Sequence, residues 1–216
     1  MSSPELVDYY RRRAREYEAI YAKPERQADL EFLKKYLPAR LTGRRVLEVA
    51  CGTGYWTVLL ARTATSIVAV DAAEEPMRIA MAKDYAERDV RFELADAYAL
   101  AAELGRFDGA LAAFWWSHIP LSRIGDFLAT LHARLEPGAR VLYLDNRYVD
   151  RSSTPISERD PEGNTYQLRA LADGSTNRVL KNFPTEVELR AALAPHAREL
   201  SYRALDYYWL VEYTLK

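Results

Sequence analysis

The sequence predicts an α/β fold: a doubly wound sheet of seven strands, mostly parallel, closing on an antiparallel strand at the C-terminal end. Three observations predict it. Short apolar runs alternate with helix-length amphipathic ones from about residue 45 to 145, a Gly-x-Gly turn follows the first of these runs, and the last two runs are too close in sequence for a crossover helix between them. A chain of 216 residues with 49% apolar content is the size of one domain.

Residues 3–37 are charged and tyrosine-rich, with Leu6, Tyr9, Tyr10, Tyr17, Ile20 and Tyr21 at near-helical intervals. Pro24 divides them into two helices, the second over residues 25–36 with Leu30, Leu33 and Tyr36 on one face and Pro38 beyond its end. Residues 46–50, 66–70, 91–94, 109–113 and 140–144 read as strands, and residues 54–61, 74–86 and 121–135 as intervening helices, the last stopped by Pro137-Gly138. This alternation implies a parallel sheet covered on both faces. A polar stretch, residues 147–164, then leads to two strand-like runs around Asp173-Gly174, which is a hairpin signal. A helix over residues 185–193 opens on a Thr185-to-Glu188 capping box, and strands near 199–205 and 207–213 close the chain as an antiparallel pair.

Composition excludes several function classes. With 30 Lys+Arg against 31 Asp+Glu there is no global field to recruit nucleic acid or an anionic membrane. The longest run free of charged residues, 109–122, is too short to cross a bilayer, and the charged N-terminus is not a secretory signal, so the expected location is cytoplasmic. One cysteine, Cys51, and three scattered histidines offer no metal-ligand spacing, and no metal is expected.

The sharpest local feature is Glu48-Val49-Ala50-Cys51-Gly52-Thr53-Gly54-Tyr55-Trp56, placed after a strand and opening a helix. Its glycines let the backbone turn tightly and lie against a ligand. Thr57 stands where a dinucleotide fingerprint needs its third glycine, and no Gly-Lys-Ser/Thr follows, so a pyrophosphate ligand is disfavoured. Asp71 ends the second strand, where a doubly wound fold places its ribose-binding carboxylate, and Asp96 ends the third.

This arrangement resembles the class I S-adenosylmethionine-dependent methyltransferases, which are Rossmann-like, over about residues 45–148. The resemblance implies that the chain binds S-adenosyl-L-methionine and releases S-adenosyl-L-homocysteine. It assigns the loop glycines Gly52 and Gly54 to the methionine portion, Asp71 to the ribose hydroxyls and Asp96 to the adenine amino group. It further implies cofactor roles for Glu48, Ala50, Thr53, Trp56, Ala72, Met77, Ala97 and Phe114, while Arg13 and Tyr17 are expected to reach the cofactor from an N-terminal helix folded over it as a lid, Arg13 at the carboxylate of the methionine end. Ala50 departs from the family pattern, where glycine is usual. A narrower resemblance, to the phosphonate O-methyltransferase branch that serves dehydrophos biosynthesis, rests on Tyr9-Tyr10-Arg11, Arg13-Ala14, Glu16-Tyr17, His118 before Ile119-Pro120, and Asp173-Gly174 flanked by Arg169, Arg178 and Lys181. It divides the single domain into an N-terminal helical lid (1–40), a cofactor-binding core (41–150), a loop and hairpin capping the acceptor (151–183) and a C-terminal helix with antiparallel strands (184–216).

Acceptor contacts are expected from segments beyond the carboxyl ends of the strands. These are the run Phe114-Trp115-Trp116-Ser117-His118, the N-terminal tyrosines Tyr9 and Tyr10, and the hairpin, where a two-residue Asp173-Gly174 turn would set Arg169 opposite Arg178 and Lys181 opposite Tyr166. Like charges so placed call for an anion between them, or for carboxylates such as Glu158, Asp160 and Glu162 upstream. Substrate contacts are therefore expected from Tyr9, Tyr10, Trp115, His118, Arg169, Arg178 and Lys181, with His118 as the candidate catalytic residue.

The expected reaction is O-methylation of a small anionic metabolite of phosphonate or carboxylate type. The alternatives are a phenolic or amine acceptor with His118 as base, and a non-catalytic cofactor-binding module. Asp145-Asn146 resembles part of the magnesium site of catechol-type enzymes, but the acid those enzymes carry after the fourth strand is missing. The Asn/Asp-Pro-Pro-aromatic tetrad of nucleic-acid and protein amino-group methyltransferases is also absent. Oligomeric state is not legible.

Overall fold

Backbone pairing in the computed structural model, which describes residues 3–216, builds one seven-stranded sheet and one small three-stranded sheet. The strands are β1 (Arg45–Val49), β2 (Ser66–Asp71), β3 (Val90–Leu94), β4 (Phe107–Ala113), β5 (Leu135–Asn146), β6 (Glu158–Arg159), β7 (Thr165–Ala170), β8 (Thr176–Leu180), β9 (Ala197–Ala204) and β10 (Tyr208–Leu215). The helices are α1 (Pro4–Arg13), α2 (Gln27–Arg40), α3 (Tyr55–Ala61), α4 (Glu74–Met81), α5 (Ile124–His132) and α6 (Glu186–Leu193). The large sheet runs β3-β2-β1-β4-β5-β10-β9, with β1 to β5 parallel and β10 antiparallel to both its neighbours. The strand order reverses between β1 and β4, and ligands on open α/β sheets bind beyond the strand ends at such a switch point.

The central strands are buried on both faces, as their continuous apolar runs require: Val46, Leu47, Ala110, Leu111, Val141 and Leu142 are all solvent-inaccessible. One face packs under α5 and α6 through Phe127, Leu131 and Leu189, and the other under α2 and α3 through Leu33, Leu37 and Leu60. Among the described residues no helix is long and apolar enough to cross a membrane.

Several boundaries differ from the sequence expectation. The first N-terminal helix is α only to Arg13 and continues as a 3-10 segment, Ala14–Ala22. Helix α2 runs through Pro38 to Arg40, because Leu37 and Leu41 hold its last turn in the core and the Pro38 carbonyl accepts from the Thr42 and Thr63 hydroxyls. Helix α4 stops at Met81 rather than near Ala86, since Ala86 and Glu87 take left-handed backbone angles. Helix α5 ends at His132, and Pro137-Gly138 lies inside a bulge at the start of β5 instead of ending the helix. The Thr185–Glu188 capping box forms as expected.

The hairpin corrects the expected register. Leu171 and Ser175 close a three-residue loop in which Gly174 takes φ +82°, so Arg169 pairs with Asn177, Leu168 with Arg178, and Tyr166 with Leu180. Shifting the pairing by one residue sends facing side chains to opposite faces. Arg169 and Arg178 are therefore not opposed, and Lys181 does not face Tyr166. The short strand β6 joins the hairpin edge and was not legible as a strand.

Candidate functional site

At the carboxyl end of β1 the chain makes a turn that only small residues can hold. Ala50, Gly52 and Gly54 all have positive φ, at 56°, 56° and 76°. A Cβ on Gly54 would come within 2.8 Å of both the Ala80 Cβ and the Tyr85 hydroxyl, so packing as well as conformation requires glycine there. Asp71, at the end of β2, braces the turn: one carboxylate oxygen accepts the Gly52 N–H at 2.8 Å and the other the Ala73 N–H at 2.8 Å. Each oxygen keeps a lone pair for a ligand. Burial pushes the Asp71 carboxyl up against these backbone bonds, and burial also lifts Glu48, on β1 beneath the turn, to about 8.

Beside this turn a cleft is lined by Tyr17, Ala50, Gly52, Asp71, Ala72, Ala97, Phe114 and Trp115, all expected site residues, and by Leu6 and Val7 of α1 and Pro76 of α4. Its wall of alanines and valines suits an apolar ring, while Asp71 and the buried, unpartnered indole N–H of Trp115 supply an acceptor and a donor. Glu48, Thr53, Gly54, Trp56 and Met77 are buried but do not line the cleft. Asp96 lies on the loop after β3, accepting the Tyr98 N–H, and Ala95 and Ala97 on either side of it reach the cleft. The N-terminal segment is tied down over the turn. Glu18 accepts the Thr53 hydroxyl at 2.7 Å and pairs with Lys83, and the Tyr17 ring lies 4.0 Å from where a Gly52 Cβ would stand.

A second cavity, of about 290 Å³, adjoins the first. The two share Tyr10, Tyr17, Phe114 and His118 as lining. Five cations, Arg13, Lys23, Arg26, Arg169 and Lys181, line the second cavity, and none of its lining residues is a carboxylate. Tyr9 also lines it and accepts a 2.8 Å hydrogen bond from Arg13. Arg169 donates twice to the Gln167 side chain, leaving the rest of its guanidinium beside the phenols of Tyr9 and Tyr10. Lys181 is buried, donates to the Ser117 hydroxyl at 2.5 Å and pairs with Asp145 at 2.9 Å. Burial lowers the Lys181 ammonium to about 8. Burial alone would raise Asp145, but the Lys181 ammonium and the Ser117 N–H outweigh it and hold the carboxyl below its usual range. The pair is thus ionised at neutral pH.

His118 is buried between Tyr10, whose hydroxyl is 2.7 Å from Nε2, and the Leu180 carbonyl, 2.7 Å from Nδ1. Burial first and Lys181 second push its pKa well below 6.5, so the ring is neutral. Arg178 is placed elsewhere: it is exposed, pairs with Glu158 at 2.8 Å and stacks 3.4 Å over the Tyr166 ring. Of the expected acceptor residues the fold thus brings Tyr9, Tyr10, His118, Arg169 and Lys181 around one cavity, sets Trp115 in the neighbouring cleft and leaves Arg178 outside both. Sequence reasoning missed Lys23, Arg26, Ser152 and Gln167, and met Asn146 only as half of an Asp145-Asn146 pair resembling a magnesium site. The four belong to no motif, and the charged stretch around Pro24 reads like a solvated face.

Residues 46–138 match the family model described as a methyltransferase domain. The fold superposes on the DhpI–SAM–HEP complex with a TM-score of 0.78 and 26% identity, covering 98% of this chain and 99% of that one. The DhpI–SAH complex gives a TM-score of 0.75 at 26% identity, covering 96% and 94%. Together these matches support a class I S-adenosylmethionine-dependent methyltransferase resembling DhpI. The chain is also similar to a demethylmenaquinone methyltransferase of Lactococcus lactis subsp. lactis (strain IL1403), 30% identical over 50% of this chain and 44% of the relative. A ubiquinone biosynthesis O-methyltransferase of Azotobacter vinelandii (strain DJ / ATCC BAA-1303) is 29% identical over 48% and 45%. The chain spans about half the length of these curated relatives.

Proposed function

We propose that the chain transfers a methyl group from S-adenosylmethionine to an oxygen of a small anionic acid of phosphonate or carboxylate type. One observation carries this reading: a cavity lined by five cations and no carboxylate meets the cleft beside the glycine turn at Tyr10, Tyr17, Phe114 and His118. The residues of the cleft fit the cofactor, with Gly52 as the cradle on a turn that Gly54 completes, Asp71 for hydroxyls, and Tyr17, Ala97 and Trp115 as walls. S-adenosylmethionine supplies a methyl carbon made electrophilic by its sulfonium.

In this transfer the carbon–sulfur bond breaks as the oxygen–carbon bond forms, the sulfonium becomes a neutral thioether, and the acceptor loses one negative charge. An ionised acid is already a nucleophile at neutral pH, so the protein needs mainly to align it and exclude water. Arg169 and Lys181 attract and orient the acid, and Arg13 adds charge to the same cavity. Tyr10, its hydroxyl committed to His118, shapes the junction of the two cavities, while α1 and the 3-10 segment after it cover the cleft. A phenolic acceptor with His118 as base is disfavoured, because both imidazole nitrogens are engaged.

The test is transfer of labelled methyl groups to a panel of small phosphonates, carboxylates and phenols. Incorporation into the acids, lost in Arg169→Ala, supports the reading. Incorporation into phenols alone, indifferent to Arg169, overturns it.

A further inference from the structure

The cations of the second cavity fall into two groups on different parts of the chain. Arg169 and Lys181 come from the hairpin and the residue after it. Lys23 and Arg26 flank Pro24 at the other side, and with them lie Asn146, at the end of β5, and Ser152, Ser153 and Thr154 of the following loop. Arg13 stands between the groups, its charge acting on both Lys181 and Lys23.

The Lys23–Arg26 corner is a built polar site. Arg26 is buried, donates to the Asn146 side-chain oxygen at 2.9 Å and to the Ser152 hydroxyl at 3.2 Å, and lies over the rings of Tyr207 and Tyr208. Its Nε–H is buried without a partner. Lys23 reaches the Ser152 carbonyl at 3.3 Å, leaving ammonium donors unused. Neither Lys23 nor Arg26 forms an ion pair with a carboxylate among the described residues. The carboxylate in this network, Glu25, is reached through the Ser152 hydroxyl and does not line the cavity. A monoanion held by Arg169 and Lys181 would leave the two like charges at this corner balanced from outside the cavity, by the exposed Glu25 that acts on both, with no anion on the cavity side.

We propose that this corner is a subsite for a second acidic group, and that the acceptor is a small diacid, one end methylated beside His118 and the other held by Lys23 and Arg26. This deepens the reading above and rests on it. The second group contributes affinity and orientation while taking no part in bond making. It selects diacids over acids of the same length that end in an uncharged group.

The test is isothermal titration of the full chain, loaded with S-adenosylhomocysteine, with 3-phosphonopropionate and with butylphosphonate, alongside methyl transfer to both. A single charge-assisted contact predicts at least about ten-fold tighter binding of the phosphonocarboxylate. The preference should shrink towards unity in Lys23→Ala and survive in Lys23→Arg. Equal binding of the two in the wild type, or a preference indifferent to Lys23→Ala, overturns the subsite. If both acids are methylated in that case, the anionic-acceptor reading stands without it. Preferential binding of the diacid with no transfer to either acid would uphold the subsite and sink the activity. Failure of both to bind would remove both proposals.

Discussion

The Tyr10 hydroxyl donates a hydrogen bond to His118 Nε2 across 2.7 Å. The direction follows from the other side of the ring: a carbonyl only accepts, so Nδ1, 2.7 Å from the Leu180 oxygen, carries the proton and Nε2 of the neutral imidazole is left to accept. Tyr10 remains protonated, since burial pushes its pKa up to about 12. His118 is therefore an anchor for Tyr10 rather than a base free to take a proton from the acceptor. In His118→Ala the acceptor KM should rise about ten-fold through loss of this contact, with a smaller effect on kcat. The wild-type pH profile of kcat should be flat around neutrality. A kcat that follows one group titrating near 6.5, and loses that dependence in His118→Ala, would return His118 to the role of base.

The one-residue shift in the hairpin separates two arginines that share a sequence neighbourhood. Arg169 lies beside Tyr9 and Tyr10 in the cavity wall, while Arg178 pairs with Glu158 on the surface. Arg169→Ala should raise the acceptor KM by about a hundred-fold, the loss expected for a charge-assisted contact to an anion. Arg178→Ala should cost less than about three-fold, as exposed ion pairs contribute little. Steady-state kinetics on the two single variants checks this. Equal losses would mean that Arg178 reaches the acceptor from its surface position.

On the proposed function, Lys181 should make acceptor binding sensitive to alkaline pH. Its ammonium is lowered by burial from 10.5 to about 8 in the folded chain. Raising the pH through 8 removes a positive charge from the cavity, and acceptor KM should climb towards about ten-fold per pH unit beyond it. The stability effect has the opposite sense. Because the folded pKa is the lower one, the unfolded chain binds more protons between 8 and 10.5, and this group's contribution to stability rises with pH across that window. Kinetics from neutral pH to about 9.5, compared between the wild type and Lys181→Gln, isolates the titration. A dependence of KM that persists in the variant would assign it to another group.

The large sheet was legible because its central strands are buried on both faces and so read as continuous apolar runs, with helix periodicity between them. The glycine turn after β1 was legible because its backbone demands small residues at fixed spacing. The cation-lined cavity was only half legible. Asp173-Gly174 marks a reversal, but the dipeptide is compatible with loops of two or three residues, and that single residue decides which face every hairpin side chain takes. The role of Lys181 depends on Asp145 and Ser117, which lie 36 and 64 residues away in sequence and are brought to it by packing of the hairpin against the end of β5. Lys23 and Arg26 acquire their setting only when the 3-10 segment folds against the loop after β5, and no local pattern announces that contact.

Ala50 stands where glycine is usual in the family, and its φ of 56° places it in the left-handed region. For an L-residue that conformation costs about 1–2 kcal/mol. Glycine removes the penalty but loses more entropy on folding, by about 0.5–1 kcal/mol. Ala50 is partly buried against the core, so its methyl contributes some packing that glycine forfeits. The backbone term is the larger, and Ala50→Gly should stabilise the chain by about 0.5 kcal/mol. Ala50→Val adds β-branching at a positive φ and should destabilise it by about 2 kcal/mol or more. Urea unfolding of the three proteins, compared by midpoint at equal slope, measures both changes. A lower midpoint for Ala50→Gly would show that the methyl's packing against the floor of the cleft outweighs the strain of the turn.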